Sequence, residues 1–241
     1  MLTLHQKFNY ILNSTIRFFD ESICPHCKST KFKKVDSKFF VTRLHECSEC
    51  KLLYRFPIDT ISSNKSFYQS EYIEGDLLTT KLPSSVELEK FKADKFREGD
   101  KNAGRYIELF KELCPEVESG IKIIDYGCSW GYISYQIKEQ GFDVKGFEIS
   151  VPRKDYGIKH LGLDITNDQD KLRVDNDIFF SSHVIEHLPD IFSFIDLAKK
   201  LLRSGGYFIA VSPNGSNEYR DIDPNGFHSC WGKVHPNYLN A

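Results

Sequence analysis

The stretch Ile121-Lys-Ile-Ile-Asp125-Tyr-Gly127-Cys128-Ser129-Trp-Gly131 decides the reading of this chain. A short apolar run ends in an acid and passes into a glycine turn that opens a helical segment. Glycines let backbone approach a ligand without Cβ clashes. The helix N-terminus beyond offers unpaired N–H groups to a carboxylate. Asp125, at the strand's end, is placed to meet an ammonium group. A ligand carrying an amino-acid moiety presents both charges; a pyrophosphate does not. The spacing is G-x-S-x-G, where the dinucleotide fingerprint wants G-x-G-x-x-G. Taken alone the turn also suits a plain strand–helix junction. Glu148, at the end of the next expected strand, adds a carboxylate able to accept two ribose hydroxyls.

Outward from the turn, the sequence alternates strands and helices, the pattern of an α/β fold with a parallel sheet. Strands are expected at 121–126, 143–149, 161–165, 177–182 and 207–212. Helices are expected at 132–140, with Gly141 as C-cap, and at 185–202, ended by Ser204-Gly205-Gly206.

At these residues the chain resembles the class I S-adenosylmethionine-dependent methyltransferases. DYGCSWG is similar to that family's first motif, with Ser129 in place of a common glycine. SSHVIEHLPD and LRSGGYFIAVSPN resemble its fourth and fifth strand regions. The resemblance covers residues 105–238 and implies a Rossmann-like domain that binds S-adenosylmethionine. It implies that Asp125, Gly127, Cys128, Ser129, Gly131 and Glu148 line the cofactor site, with Asp164 a candidate near adenine. The family fold has seven strands and five are placed here. Only 29 residues follow Ser212, rich in Gly, Asn, Pro and His. The expectation is a domain lacking its last strands, the native chain continuing past Ala241.

His183, Glu186 and His187 follow the fourth strand and form the candidate catalytic group. On a helix, positions i, i+3 and i+4 share one face. One reading makes His183 or His187 a general base, since imidazole titrates near working pH. Another makes the group a divalent-metal site that acidifies a substrate hydroxyl, with His228 or His235 as a further ligand. The segment is similar to one in metal-dependent O-methyltransferases acting on quinone precursors and small-RNA ribose, which carry Glu where His183 stands. A third has His187 packing or capping at the helix start. The literal match to H-x-x-E-H does not imply a protease in this strand–helix context.

Cys24-Pro-His-Cys27 and Cys47-Ser-Glu-Cys50 are separated by 19 residues. Two such knuckles supply four thiolates for tetrahedral zinc, with a hairpin over 32–46 whose Phe39, Phe40 and Val41 are placed in a strand. Four thiolates leave no open position, so this zinc ribbon is structural. The remaining cysteines, Cys114, Cys128 and Cys230, make seven in all, and the odd count argues against a disulfide framework. The ribbon is followed by Tyr54-Arg-Phe-Pro57 and Phe67-Tyr68-Gln-Ser-Glu-Tyr72. That order resembles bacterial methyltransferases of surface-polysaccharide and deoxysugar pathways, and implies a sugar, nucleotide-sugar or glycan acceptor. Tyr68 and Tyr72 are candidates to pack against it.

The sequence thus divides into an N-terminal helical segment (1–20), a zinc ribbon (21–58), an aromatic and helical linker (59–118) and a cofactor domain (119–241). Thirty-two basic and 34 acidic residues give a net charge of -2, no footprint for nucleic acid, although the ribbon itself is lysine-rich. No apolar run approaches the roughly 20 residues of a membrane span, and no signal peptide is evident; a cytoplasmic location is expected. The expected function is O-methylation of a sugar-like hydroxyl. The alternatives are a metal-dependent O-methyltransferase acting on RNA or a quinone precursor, and a binding module that turns nothing over.

Overall fold

A computed structural model of the chain describes residues 4–67, 81–115 and 120–239; the expectation for Tyr68 and Tyr72 lies outside them. The described strands are β1 (Phe32–Lys38), β2 (Thr42–Cys47), β3 (Leu53–Phe56), β4 (Lys122–Tyr126), β5 (Asp143–Phe147), β6 (Ile165–Thr166), β7 (Asn176–Ser182), β8 (Leu202–Val211) and β9 (Asn237–Tyr238). The helices are α1 (Leu4–Ile16), α2 (Ile61–Ser66), α3 (Ser85–Ala93), α4 (Gly104–Leu113), α5 (Tyr132–Glu139), α6 (Val151–Leu161), α7 (Ile191–Leu201), α8 (Asn217–Ile222) and α9 (Pro224–Cys230). None is long and apolar enough to cross a membrane. Two compact units form: residues 1–64, 183–196 and 211–241 make one, and residues 65–182 and 197–210 the other.

The second unit is Rossmann-like. Its sheet runs β6-β5-β4-β7-β8, and β4 pairs in parallel with both β5 and β7. Strand order reverses at β4, so the turn after it opens at the switch point where such sheets bind ligands. β4 and β7 are apolar on both faces: Ile123, Ile124, Ile178, Phe179 and Phe180 are fully buried, as central parallel strands require. Gly131 caps the N-terminus of α5 with a φ of +86°, which suits glycine. α6 has Pro152 in its first turn and ends at Gly162 in the left-handed conformation. α3 carries a complete capping box between Ser84 and Glu87. A cluster of Leu88, Phe96, Cys128, Trp130, Leu161, Leu163 and Ile165 packs behind the glycine turn.

The first unit is a four-stranded sheet, order β1-β2-β3-β9. β9 completes it by pairing Tyr238 with Leu53 and Asn237 with Tyr54. Leu44, Leu53, Phe227, Trp231 and Tyr238 form its core, and Asp223 caps α9 through the Gly226 N–H.

Four expectations are corrected. Phe39, Phe40 and Val41 do not lie in a strand: they form the three-residue loop between Lys38 and Thr42, with positive φ at Phe39 and Phe40. Leu161 ends a helix, and the third strand is only Ile165–Thr166. Residues 185–187 form a single 3₁₀ turn, and the long helix begins at Ile191. Pro189 is the physical reason, because it holds Leu188 extended (ψ 132°). Finally, Ser204-Gly205-Gly206 does not end that helix but lies within β8, where a side chain at Gly206 would sit 3.0 Å from the Asn176 carbonyl.

Gly157 on α6 gives a test of the packing. A Cβ there would lie 2.9 Å from the Trp130 carbonyl oxygen. A mid-helix Gly→Ala change ordinarily stabilises by about 1 kcal/mol. Here the sign should reverse: Gly157→Ala is expected to destabilise by about 1–3 kcal/mol in urea unfolding, and a gain in stability would refute this packing.

Candidate functional site

In the Rossmann-like unit the turn after β4 is built from left-handed residues: Gly127 (φ 82°), Ser129 (φ 53°) and Gly131 (φ 86°). Ser129 adopts a conformation that costs a side-chain-bearing residue about 1 kcal/mol or more. Its cost is offset by Glu148, whose Oε2 accepts the Ser129 N–H at 2.8 Å. Glu148 Oε1 accepts the Ser150 N–H at 2.7 Å. The Gly127 and Cys128 N–H groups both donate to the Phe147 carbonyl, at 2.8 and 3.0 Å. The two loops at the carboxyl ends of β4 and β5 are therefore one hydrogen-bonded assembly.

Asp125 is buried beneath this turn and accepts from Ser134 Oγ at 2.6 Å. Burial pushes its carboxyl up to about 7; the Ser134 bond opposes the shift and the nearby Glu148 charge adds to it. Burial also raises Glu148, against the two N–H bonds and Arg153. The hydroxyls of Ser129 and Ser150 are buried without a partner, which is costly unless something meets them. Two acids kept from water beside orphaned hydroxyls fit a polar ligand with a cationic end. Cys128 is buried and its thiol is pushed well up by burial; its sulfur fills the space over Gly146. Asp164 is ion-paired with Lys145 at 2.7 Å on an exposed edge.

In the other unit, Cys24, Cys27, Cys47 and Cys50 converge, all four sulfurs within 4.8 Å of one another. Cys24 and Cys50 sulfurs are 3.6 Å apart and those of Cys27 and Cys47 3.5 Å. Bond lengths of about 2.3 Å to a tetrahedral zinc imply sulfur separations of about 3.8 Å, so the set fits such an ion. The knuckles match in detail. Lys28 N–H donates to the Cys24 carbonyl and Lys51 N–H to the Cys47 carbonyl, each at 3.1 Å. Burial raises the Cys47 thiol, but the N–H groups of Cys50 and Glu49, with hydrogen bonds from the Cys27 and Cys50 thiols, together leave it at about 7.

The same unit holds His183, Glu186 and His187. His183, at φ 55°, is mostly exposed, and its Nδ1 is 3.3 Å from Oε1 of the fully buried Glu186. Burial raises the Glu186 carboxyl, yet its histidine neighbours leave it below the usual range. His187 is buried and pushed down to about 4 by burial, with Glu186 opposing. Its Nδ1 lies 2.6 Å from the Val234 carbonyl, which fixes Nδ1–H as donor, and its Nε2 is 3.8 Å from Glu186 Oε1. His235 repeats this arrangement, Nδ1 to the Cys230 carbonyl at 2.9 Å. Ligand atoms of Glu186, His187 and His235 all lie within 4.8 Å of one another, and Glu186 Oε2 has no partner. His228 is elsewhere, held by Asp36 at 2.6 Å.

The sequence reading missed Ser134 and Ser150, and named His235 only loosely. Ser134 follows Asp125 by nine residues, where one turn of helix returns over the strand end. Nothing local marks it. His235 is 48 residues from His187, and its segment is brought back by contacts distant in sequence, among them the pairing of β9 with β3 and the Arg55 N–H on the Pro236 carbonyl.

The buried acid yields a stability test. A carboxyl raised in the folded state contributes most below its unfolded pKa and loses that contribution as pH rises through about 7. Asp125→Asn should therefore stabilise the chain by about 1 kcal/mol or more at pH 8, with the gain fading towards pH 4. Equal stability at both pH values would show that Asp125 ionises freely.

Comparison with known proteins places these features in a family. A 110-residue segment is 26% identical to the ubiquinone biosynthesis O-methyltransferase of Psychrobacter cryohalolentis, covering 40% of this chain and 42% of that protein. A 105-residue segment is 28% identical to the protein of the same name from Paramagnetospirillum magneticum, covering 39% and 41%. The match thus spans about two fifths of the length of these curated relatives. Among solved structures, a TehB-like SAM-dependent methyltransferase from Corynebacterium glutamicum is similar at 20% identity over 52% of this chain and 70% of that one, with a TM-score of 0.41. A family model described as a methyltransferase domain matches residues 96–233, more than half of the chain, and the chain belongs to that methyltransferase-domain family.

Proposed function

We propose that this chain is an S-adenosylmethionine-dependent methyltransferase that methylates a hydroxyl oxygen of a small acceptor, of the sugar, nucleotide-sugar or glycan class. The observation that carries the cofactor assignment is the joint clasp of Ser129 and Ser150 by Glu148 over the buried Asp125. Asp125 would hold the cofactor's ammonium end, the turn from Gly127 to Gly131 its carboxylate, and Glu148 its ribose. When bound, S-adenosylmethionine supplies an electrophilic methyl group for in-line displacement. The chain's own task is then to orient the acceptor, exclude water and take one proton. His183 suits the last role: its ring is mostly exposed and its Nδ1 is held 3.3 Å from the buried Glu186 carboxylate, which orients the imidazole for that task.

The four thiols support a structural zinc ribbon, with no open position for chemistry. Support for a sugar-type acceptor comes from the order of ribbon, aromatic segment and cofactor domain in the sequence.

One observation favours a second reading. Glu186, His187 and His235 offer three converging ligand atoms, and both histidines are oriented by backbone carbonyls, the arrangement that tunes metal ligands. In that reading Glu186 serves a divalent ion, and the acceptor is an acidic hydroxyl such as that of a quinone precursor, the chemistry named for the relatives above.

Two measurements test these assignments. Calorimetry with S-adenosylhomocysteine should give micromolar-range binding that Glu148→Gln weakens roughly tenfold or more. Because an ammonium requires ionised Asp125, affinity should fall as pH drops below about 7, with proton release on binding near pH 6. Binding that is absent, or that ignores both pH and Glu148, removes the cofactor assignment. Elemental analysis should return about one zinc per chain. A second divalent ion that is lost in His235→Ala would favour the metal reading over the histidine base; no zinc would end the ribbon assignment.

A further inference from the structure

The two knuckles have the same backbone and different employment. Lys28 and Lys51 follow the second cysteine of each pair, at φ 63° and 64°, a conformation that glycine takes without strain. Lys51 directs its Nζ back to its own knuckle, onto the Ser48 carbonyl at 2.9 Å. Lys28 Nζ makes the equivalent bond, to the Pro25 carbonyl at 3.4 Å, but also reaches beyond its knuckle to Asp190 Oδ1 at 2.8 Å, with the ammonium 5.8 Å from the centre of the Phe192 ring. The Phe192 N–H in turn donates to the Pro25 carbonyl, inside the first knuckle, at 3.3 Å. Asp190 also caps α7, accepting from the N–H of Ser193 at 3.3 Å and from its hydroxyl at 2.8 Å.

The segment gripped here is the far end of the 183–190 loop. Its near end is pinned by the His183 N–H on the Val211 carbonyl at 2.8 Å. Its middle is held by Asn237 Nδ2, which donates to the Leu188 carbonyl at 2.6 Å, and by Asn64 Nδ2 on the His187 carbonyl at 3.0 Å. The loop has one 3₁₀ turn of its own, and His183 sits in a left-handed conformation. Strained residues persist only where their surroundings over-determine them.

We propose that Lys28 is a positioning residue: through Asp190 and Phe192 the first knuckle acts as the mount that holds the His183–Glu186–His187 loop in its working geometry. The role assigned to that loop rests on the function proposed above; the mount itself does not. The mirrored Lys51 supplies an internal control, since replacing it relieves the same backbone strain and touches nothing in the loop.

Hydrogen exchange of the full zinc-loaded chain tests this. Lys28→Gly and Lys51→Gly should both keep or raise the melting temperature, because each removes a left-handed side-chain-bearing residue. Only Lys28→Gly should speed exchange of the amides of residues 183–192, by roughly threefold or more, the scale of an exposed ion pair. It should also shift the imidazole ¹⁵N resonances of His183 and His187. Lys28→Arg should restore both readouts, and Asp190→Asn should reproduce the loss. Equal exchange over 183–192 in Lys28→Gly and Lys51→Gly would overturn the proposal. Titration with S-adenosylhomocysteine separates it from the methyl-transfer reading: all four variants should bind as the parent does, whereas a parent chain that does not bind sinks that reading and leaves the exchange comparison standing.

Discussion

The constraint on which the Rossmann-like unit depends is the double hydrogen bond into Glu148. A carboxylate that accepts the N–H groups of Ser129 and Ser150 ties the loop after β4 to the loop after β5. Without it, the left-handed Ser129, set between two glycines that take this conformation freely, would lack compensation. With it, a helix start and a strand end are locked at the point where the sheet reverses order. The clasp also brings two acids into one dry region, which is why neither Asp125 nor Glu148 behaves as an ordinary surface carboxylate. Two buried acids cost stability there, a pattern common at binding sites.

The other unit is assembled from pieces far apart in sequence. A two-residue strand, β9, joins the sheet of the cysteine hairpin, and Asn237 from the same strand holds the carbonyl of Leu188. Asp36 accepts from both His228 and Trp231, fastening α9 to β1. The lysines of the hairpin are largely spoken for: Lys28 by Asp190, Lys31 by Glu49 and Lys33 by Glu46, while Lys38 reaches the Trp231 carbonyl. A stretch that reads as basic in sequence is therefore locally balanced.

What the sequence revealed and what it hid follow one rule. Glycine and cysteine spacings are local, so the turn at 127–131 and the paired knuckles were legible, as was the alternation that builds the parallel sheet. Features set by partners distant in sequence were not. Pro189 turned an expected helix into a 3₁₀ turn, a local signal that the periodicity of the apolar residues obscured. Gly205 and Gly206 read as a stop because close approach of β8 to β7 cannot be seen from β8 alone. Phe39 and Phe40 have strong strand preferences, yet hairpin geometry places them at the tip. The convergence of His235 on Glu186 depends on contacts distant in sequence, among them a strand of two residues, below what any pattern in the sequence marks.

The chain has two tryptophans, and they fall one in each unit. Trp130 is fully buried in the glycine turn, packed near Phe96 and Tyr156. Trp231 is buried in the hairpin unit, its indole N–H on Asp36, an ammonium from Lys38 4.5 Å from its ring and the His228 ring edge-on beside it. A nearby cation and carboxylate perturb indole emission in a way that an aromatic cage does not. The chain thus carries a separate optical reporter for each half, so the order in which the two halves come apart is readable from fluorescence alone, without any label.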